Sequence, residues 1–150
     1  MEDTMTDKDP LISAWFGVDF GDGVVGAFRE CTGLGSENEV VESKASGPDG
    51  KYIIKKIPGR MKWNNITLKR GITDAMDMWK WRKMVEEGDI QGARRNGTIT
   101  MFNTRGEPVA RWKFVNAWPS KLTGPDANAT NNEVAIETLE IVHEGYERVQ

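Results

Sequence analysis

Pro58 to Gly88, PGRMKWNNITLKRGITDAMDMWKWRKMVEEG, decides how the rest of the chain is read. It holds a strand followed by the one long helix, with β-like sequence on either side. In Asn65 to Ile72, Ile66, Leu68, Arg70 and Ile72 fall on one face, and Asn65, Thr67, Lys69 and Gly71 on the other. That period of two marks a strand. Thr73 is placed to cap a helix, Asp74 and Asp77 suit its positive end, and Gly88 suits its stop. At about 100° per residue, Trp81, Val85, Met78, Ala75 and Trp79 form one apolar arc that also takes in Arg82. Met76 and Met84 fall outside the arc and flank Lys80. One reading is a core helix with adaptable methionines at its margins. The other is a helix buried on two sides, in which Met76, Lys80 and Met84 meet a neighbouring subunit.

A chain of 150 residues supports one domain with a real core and is short for two. We expect a tail at Met1–Pro10 and a single domain over Leu11–Gln150. Apolar residues make up 38%, low for a lone molecule of this size, while six Trp and 16 Gly supply large anchors and tight turns that also suit interfaces. A net charge of −3 argues against an obvious nucleic-acid binder. The single cysteine, Cys31, excludes an intrachain disulfide framework. Met1–Pro10 is acidic and polar, with no basic-then-apolar leader, and no apolar run reaches the ~20 residues that span a bilayer. The expectation is a soluble protein made in the cytoplasm, without membrane anchoring.

Leu11 to Phe20 reads as a strand with Phe16, Val18 and Phe20 on one face. It leads into GDGVVG, Gly21–Gly26, which formally matches a dinucleotide fingerprint. A pyrophosphate loop needs a helix next, and the β-like AFRECTGL follows instead. Asp22-Gly23 is therefore read as a hairpin turn, with Phe28–Thr32 as the returning strand. Glu37–Lys44 is a further strand candidate. Ser43–Arg60 carries a short strand, Tyr52-Ile53-Ile54, between turn residues, and sets Lys44, Lys51, Lys55, Lys56 and Arg60 against Asp49. It is either a solvated loop or an exposed arm reaching another molecule. Asp89–Asn96 reads as a connector and Asn96-Gly97 as a turn. Thr98–Phe102 and Val109–Trp118 form a hairpin around TRGEP, with Trp112, Phe114, Asn116 and Trp118 on one face and Arg111, Lys113, Val115 and Ala117 on the other. Pro119 is expected to end it, and Leu122–Asn132 to be a loop. In Glu133–Arg148, Val134 and Ile136 fall on one face but Leu139 and Ile141 on the other. This predicts a bulge near Thr138 or a change of partners, with a helix as the competing reading.

Catalytic chemistry is missing from the pattern. His143 is the only histidine, which is far short of a metal set, and a structural or interface role fits it. A Cys/His pair would need Cys31 and His143 to meet. There is no GxSxG, P-loop or HExxH. We therefore expect no enzyme, cofactor or metal site.

The stretches IPGRMKWNNITLKRGIT, RRNGTITMF, GEPVARWKFVNAWPSK and NNEVAIETLEIVHEG resemble, in order, the inner tube protein of contractile phage tails and extracellular contractile injection systems. The resemblance spans Leu11 to Val149. It implies a mainly β subunit, a sandwich or barrel with one flanking helix. Six such subunits close into a ring, strands join in a ring-wide β-barrel, and rings stack into a tube. A sheath surrounds the tube and drives it through a target envelope on contraction. The partners implied are further copies of the chain, sheath protein, baseplate or spike and tube-terminating proteins, and luminal cargo protein or DNA, in a phage tail or a tail-like particle. The type VI secretion ring protein is similar in fold and use.

Strands with two partly apolar faces fit such a polymer, since shared barrels remove exposed edges and head-to-tail stacking grows without closing. In this setting Lys44, Lys51, Tyr52, Ile53, Ile54, Lys55, Lys56 and Arg60 become a candidate arm toward the next ring. Glu133, Glu137, Glu140, Glu144 and Glu147 become a complementary acidic surface. Two alternatives are a monomeric β-barrel that binds a small apolar ligand and a small split-barrel cofactor enzyme.

Overall fold

The computed structural model describes residues 11–21, 24–125 and 135–150. The expected tail at 1–10, the Asp22-Gly23 turn, Glu133, Val134 and most of the Leu122–Asn132 loop lie outside them. β1 (Trp15–Asp19) and β2 (Val25–Phe28) form an antiparallel hairpin with Phe16 opposite Phe28. β3 (Glu30–Thr32) follows at once, and β4 (Ser36–Ser46) and β5 (Tyr52–Trp63) form a long hairpin. Then come β6 (Ile66–Gly71), α1 (Asp77–Glu86), the short α2 (Ile90–Ala93) and β7 (Arg95–Phe102). β8 (Pro108–Thr123), β9 (Ile136–Val142) and β10 (Tyr146–Arg148) complete the chain.

The main sheet runs β2-β1-β7-β8-β9-β6-β3, with β10 on the other side of β8. Its two ends, β2 and β3, are one continuous piece of chain. Residues 25–28 pair with β1 and residues 30–32 with β6, and the Arg29 N–H donates to the Lys69 carbonyl at 3.0 Å. The sheet thus closes on itself as a barrel. Val18, Phe20, Phe28, Ile66, Leu68, Ile99, Phe114, Leu139 and Ile141 fill it, and Met78 and Trp81 of α1 are buried with them. The Trp81 ring stacks on Phe20 at 5.2 Å and its indole N–H donates to the Ala93 carbonyl at 2.7 Å.

β8 is long enough to serve two parts of the barrel. Ala110–Ala117 pairs with β7, and Trp118–Thr123 pairs with β9. Just before the changeover Asn116 adopts φ 50°, a left-handed conformation that Asn tolerates better than most residues. The Asn96 side chain accepts the Asn116 N–H at 3.0 Å and the Glu144 carboxylate accepts the Asn116 side-chain amide. The inward side changes here, from Ala110 and Phe114 to Ala117 and Pro119. The expected common face of Phe114, Asn116 and Trp118 is therefore broken. Pro119 does not end the strand. It is buried at a register irregularity, where a missing N–H is tolerated. Asn96-Gly97 is likewise no turn but part of β7, opposite the Asn116 kink.

β9 holds one phase and has no bulge near Thr138. Glu137, Leu139 and Ile141 all point into the core, in unbroken register with Arg70, Leu68 and Ile66 of β6. The apparent phase change arose because Glu137, a charged residue, occupies a core position at 1% exposure. Arg70 Nε donates to Glu137 Oε1, Arg70 Nη2 donates to Asp77 Oδ1 at 3.0 Å, and Trp79 Nε1 donates to Glu137 Oε2 at 2.8 Å. The guanidinium also lies 5.0 Å from the centre of the Phe28 ring. Burial alone would lower the Arg70 pKa, but the bonds to Glu137 and Asp77 outweigh it and hold the value above the ordinary one.

The helix starts at Asp77, later than its capping pattern predicted. Thr73 Oγ1 accepts the Ala75 N–H at 3.2 Å in a local turn instead. The predicted stop does occur. Gly88, at φ 90°, donates to Val85 at 3.0 Å and Asp89 donates to Met84 at 2.9 Å, the paired bonds of a Schellman ending.

Removing one member of a buried ionic cluster strands the others. Glu137→Leu should therefore lower unfolding free energy by about 3–5 kcal/mol, read from urea midpoints, and an unchanged midpoint would contradict the placement. A Cβ on Gly97 would overlap the Phe20 ring and stand 2.5 Å from the Asp19 carbonyl. Gly97→Ala should cost about 1–3 kcal/mol in the same assay.

Candidate assembly interface

β4 and β5 pair with each other and, among the described residues, with no other strand. Gly47, which donates to the Lys51 carbonyl at 2.6 Å, and Gly50, at φ 77°, turn the hairpin at its tip. The reading of an exposed arm was too short: the hairpin runs from Ser36 to Trp63, with a bulge between Asn38 and Val40. It carries its apolar side chains outward, including Val40 at 64%, Tyr52 at 80% and Ile54 at 61% exposure. Residues directly opposite in a ladder share a face. Val41, Ile57, Ala45 and Ile53 lie on one side, and Val40, Pro58, Ile54 and Tyr52 on the other. Neither face is polar throughout, and a lone two-stranded hairpin is marginally stable in water.

The charges of the arm are more balanced than its second half suggested. Glu42 stands opposite Lys56 and Glu37 opposite Lys62. Lys55 faces Ser43, Lys44 faces Ile54, and Lys51 and Arg60 are exposed. Of the five glutamates singled out as the opposing surface, Glu133 lies outside the described residues, and the four described ones do not form one surface. Glu137 is in the core, because its partners are Arg70 and Trp79, so it cannot belong to a surface. Glu140 is half-buried and accepts from the Asn65 side chain at 2.9 Å. Glu144 accepts from Asn116, and Glu147 is exposed opposite Lys113. Just before α1, Met76 is 56% exposed, and on the helix Lys80 is exposed, whereas Met84 packs on the core and its sulfur accepts from Arg95 Nη2 at 3.6 Å.

Sequence reading missed Val40, Val41, Ile57 and Met61 as exposed arm residues, all 47% exposed or more. Their signal was present as apolar side chains alternating with charge in Glu37–Lys62, but a period of two does not say which face meets a partner. It also missed Trp15, whose ring stacks on Phe102 at 4.0 Å on the outside of the barrel.

Catalytic pairing of Cys31 and His143 has no basis in this arrangement. His143 bonds to Asn64 and Gly145, and Cys31 sits in β3 against β6. Burial pushes the Cys31 thiol up to about 12. Among the described residues no group of three His, Cys, Asp or Glu could hold a metal, and no helix is long and apolar enough to cross a membrane.

Residues 13–147 match the family described as T4-like virus tail tube protein gp19. The chain belongs to this tail tube family. A comparison with curated proteins returned no match. Among solved structures, a chain of the anti-feeding prophage tube-terminating cap is 25% identical with TM-score 0.77, covering 97% of this chain and 95% of its own. A chain of the sheath–tube complex of an extracellular contractile injection system, PVC, in its extended state is 25% identical with TM-score 0.75, covering 93% and 90%. Hcp1 from Flavobacterium johnsoniae is 11% identical with TM-score 0.55, covering 90% and 94%, a likeness of fold. The tail tube fold accounts for the mainly β barrel with its few helices.

Only the thiolate reacts with alkylating agents. At pH 8 Cys31 of the folded tail tube chain should therefore react with iodoacetamide about a hundredfold or more slower than an ordinary thiol of pKa ~8.5. Urea should restore the ordinary rate. Equal rates folded and unfolded would contradict the burial.

Proposed function

We propose that this tail tube chain is a structural, non-enzymatic subunit whose copies close into hexameric rings. The rings stack into a hollow tube that conducts protein cargo or DNA and is driven through an envelope by a contracting sheath. The observation that carries the proposal is the Ser36–Trp63 hairpin, in a chain of the tail tube family. Its apolar side chains lie outward on both faces, and its strand edges have no partner within the described residues. Exposed apolar faces and open edges of this length recruit other chains, and identical copies are the partners a tube supplies.

The hairpin is the arm toward a neighbouring copy, with Tyr52, Ile53 and Ile54 as its apolar contacts and Lys44, Lys51, Lys55, Lys56 and Arg60 setting register. Strands of neighbouring copies then continue as a barrel around the lumen. Met76 and Lys80, on the outward side of α1, face a second subunit, with Met84 beneath them. Glu140, Glu144 and Glu147 are the remaining acidic candidates for the receiving surface. The similar solved chains come from a sheath–tube complex, a tube-terminating cap and a baseplate, which supports sheath, cap and baseplate proteins as partners here. Among the described residues Phe20, Phe28, Phe114 and Trp81 fill the barrel interior, where the small-ligand reading would need a cavity.

Electron microscopy of the purified chain tests the proposal. Rings and tubes are expected, and a well-folded lone molecule at high concentration would end it. Replacing Lys55 and Lys56 together by Glu should leave rings but shorten or abolish tubes. Rim contacts of this kind should also weaken as salt rises. Unchanged tube length in the double variant would remove these lysines from the ring-to-ring contact.

A further inference from the structure

The hairpin leaves the barrel through two short segments, Leu34-Gly35 and Trp63-Asn64, joined by the Asn64 N–H bond to the Gly35 carbonyl at 3.1 Å. Beneath them is the turn between β9 and β10. The Trp63 ring lies 4.9 Å from Tyr146 and against Gly145, where an added Cβ would stand 3.4 Å from the indole. The side chain that joins this turn to the root of the hairpin is His143, the one histidine in the chain.

The two ring nitrogens of His143 have different partners, and those partners settle its proton. The Gly145 N–H points at Nδ1 at 3.1 Å. A backbone N–H only donates, so Nδ1 must be bare. The Asn64 carbonyl lies 3.0 Å from Nε2 and only accepts, so Nε2 carries the hydrogen. Both bonds are satisfied by one form of the side chain, the neutral imidazole with its hydrogen on Nε2. The ring is wedged edge-on against Phe114 at 5.1 Å and near Tyr146 at 5.9 Å and Trp63 at 6.0 Å.

We propose that neutral His143 is the pin that holds the hairpin at its root, and that protonating it frees the root, so that hairpin-mediated assembly is lost reversibly in acid. A second proton must go on Nδ1, where it meets the Gly145 N–H head-on. Either that bond or the ring position must give way. Gly145 also carries the carbonyl that accepts the Val115 N–H at 3.0 Å, so the disturbance reaches β8 beside the Asn116 kink.

The surroundings offer an imidazolium no compensation. From the hairpin root come Trp63 and Asn64, and from β8 comes Phe114, all uncharged. From the last turn and β10 comes the Tyr146 phenol. The nearby carboxylates are engaged elsewhere, Glu144 with Asn116 and Glu140 with Asn65. Burial lowers the His143 pKa, only partly opposed by the bonds to Asn64 and Gly145. The sign follows from that direction. A group whose folded pKa lies below its unfolded value near 6.5 gives its full stabilisation above about pH 6.5 and loses it as pH falls through the folded value.

The inference rests on the hairpin being an inter-copy arm, and two measurements keep the two ideas apart. The first labels the sole histidine with 15N. At pH 7.5 the spectrum should show hydrogen on Nε2 and none on Nδ1, and the titration midpoint should fall below 6.5. Hydrogen on Nδ1, or a midpoint at or above 6.5, overturns the pin. The second counts tubes by electron microscopy between pH 7.5 and 5 for the native chain and for His143→Gln, whose amide can donate to Asn64 but takes up no proton. Native tubes should disappear as pH falls through the midpoint that the 15N titration reads and return on neutralisation, while the glutamine variant keeps its tubes. Equal acid loss in both chains overturns the pin. A correct 15N titration with tubes that persist below its midpoint overturns the acid loss of assembly, whereas a chain that forms no tubes even at pH 7.5 overturns the arm. If the variant fails to fold, the 15N titration and the native pH series still decide.

Discussion

A buried guanidinium organises one end of the barrel. Arg70 sits on the inward face of β6, where its neighbours in sequence, Ile66 and Leu68, are pure core. A charge in that position is costly unless every nearby partner is held in place. The cluster therefore ties four elements together. Glu137 fixes the register of β9, Asp77 draws in the first turn of α1, Trp79 ties the helix to Glu137, and the Phe28 ring of β2 covers the cation. The helix begins at Asp77, the residue that bonds Arg70, and Ile72–Met76 connects it to β6. The Arg70 interaction also explains the charged residue in the middle of a core strand.

Closure of the barrel has a second consequence. Because residues 25–32 pair with β1 and then with β6, the main sheet spends its own edges on itself. The hairpin of β4 and β5 is left outside, with apolar side chains on both faces and its strand edges open. Most of the chain satisfies its strand edges internally, and among the described residues this part pairs only within itself. The outward Trp15–Phe102 stack and the Met76–Lys80 side of α1 add smaller surfaces of the same kind. The proposed assembly would give this division a use, with the closed barrel as the rigid unit and the hairpin as the segment that a neighbouring copy covers.

Alternation was a sound guide wherever a strand kept one pair of neighbours. β1, β6 and the first half of β8 follow it, with Val18, Leu68 and Phe114 inward. It failed in β8 after Asn116, where the strand changes partners through a left-handed residue, and in β9, where Glu137 occupies a position that hydrophobicity assigns to an apolar side chain. Both failures share a cause. A polarity pattern records what a side chain is, and its direction depends on partners that are distant along the chain. Glu137 reads as a surface residue until Arg70, 67 positions away, is placed beside it.

By itself the sequence determined a mainly β chain with one long helix, the stop at Gly88, the absence of recognisable catalytic motifs, and membership in the tail tube family through motifs spread along its length. These are local or additive properties: period, turn chemistry, composition and ordered similarity. Tertiary structure alone decided that the barrel closes through Val25–Thr32, that Ser36–Trp63 is one hairpin with apolar side chains on both faces, that Glu137 belongs to the core and that His143 sits under the root of that hairpin. Each of these depends on two distant segments meeting, and a hydrogen bond or an ion pair across a fold is a relation between positions that no single stretch of chain contains.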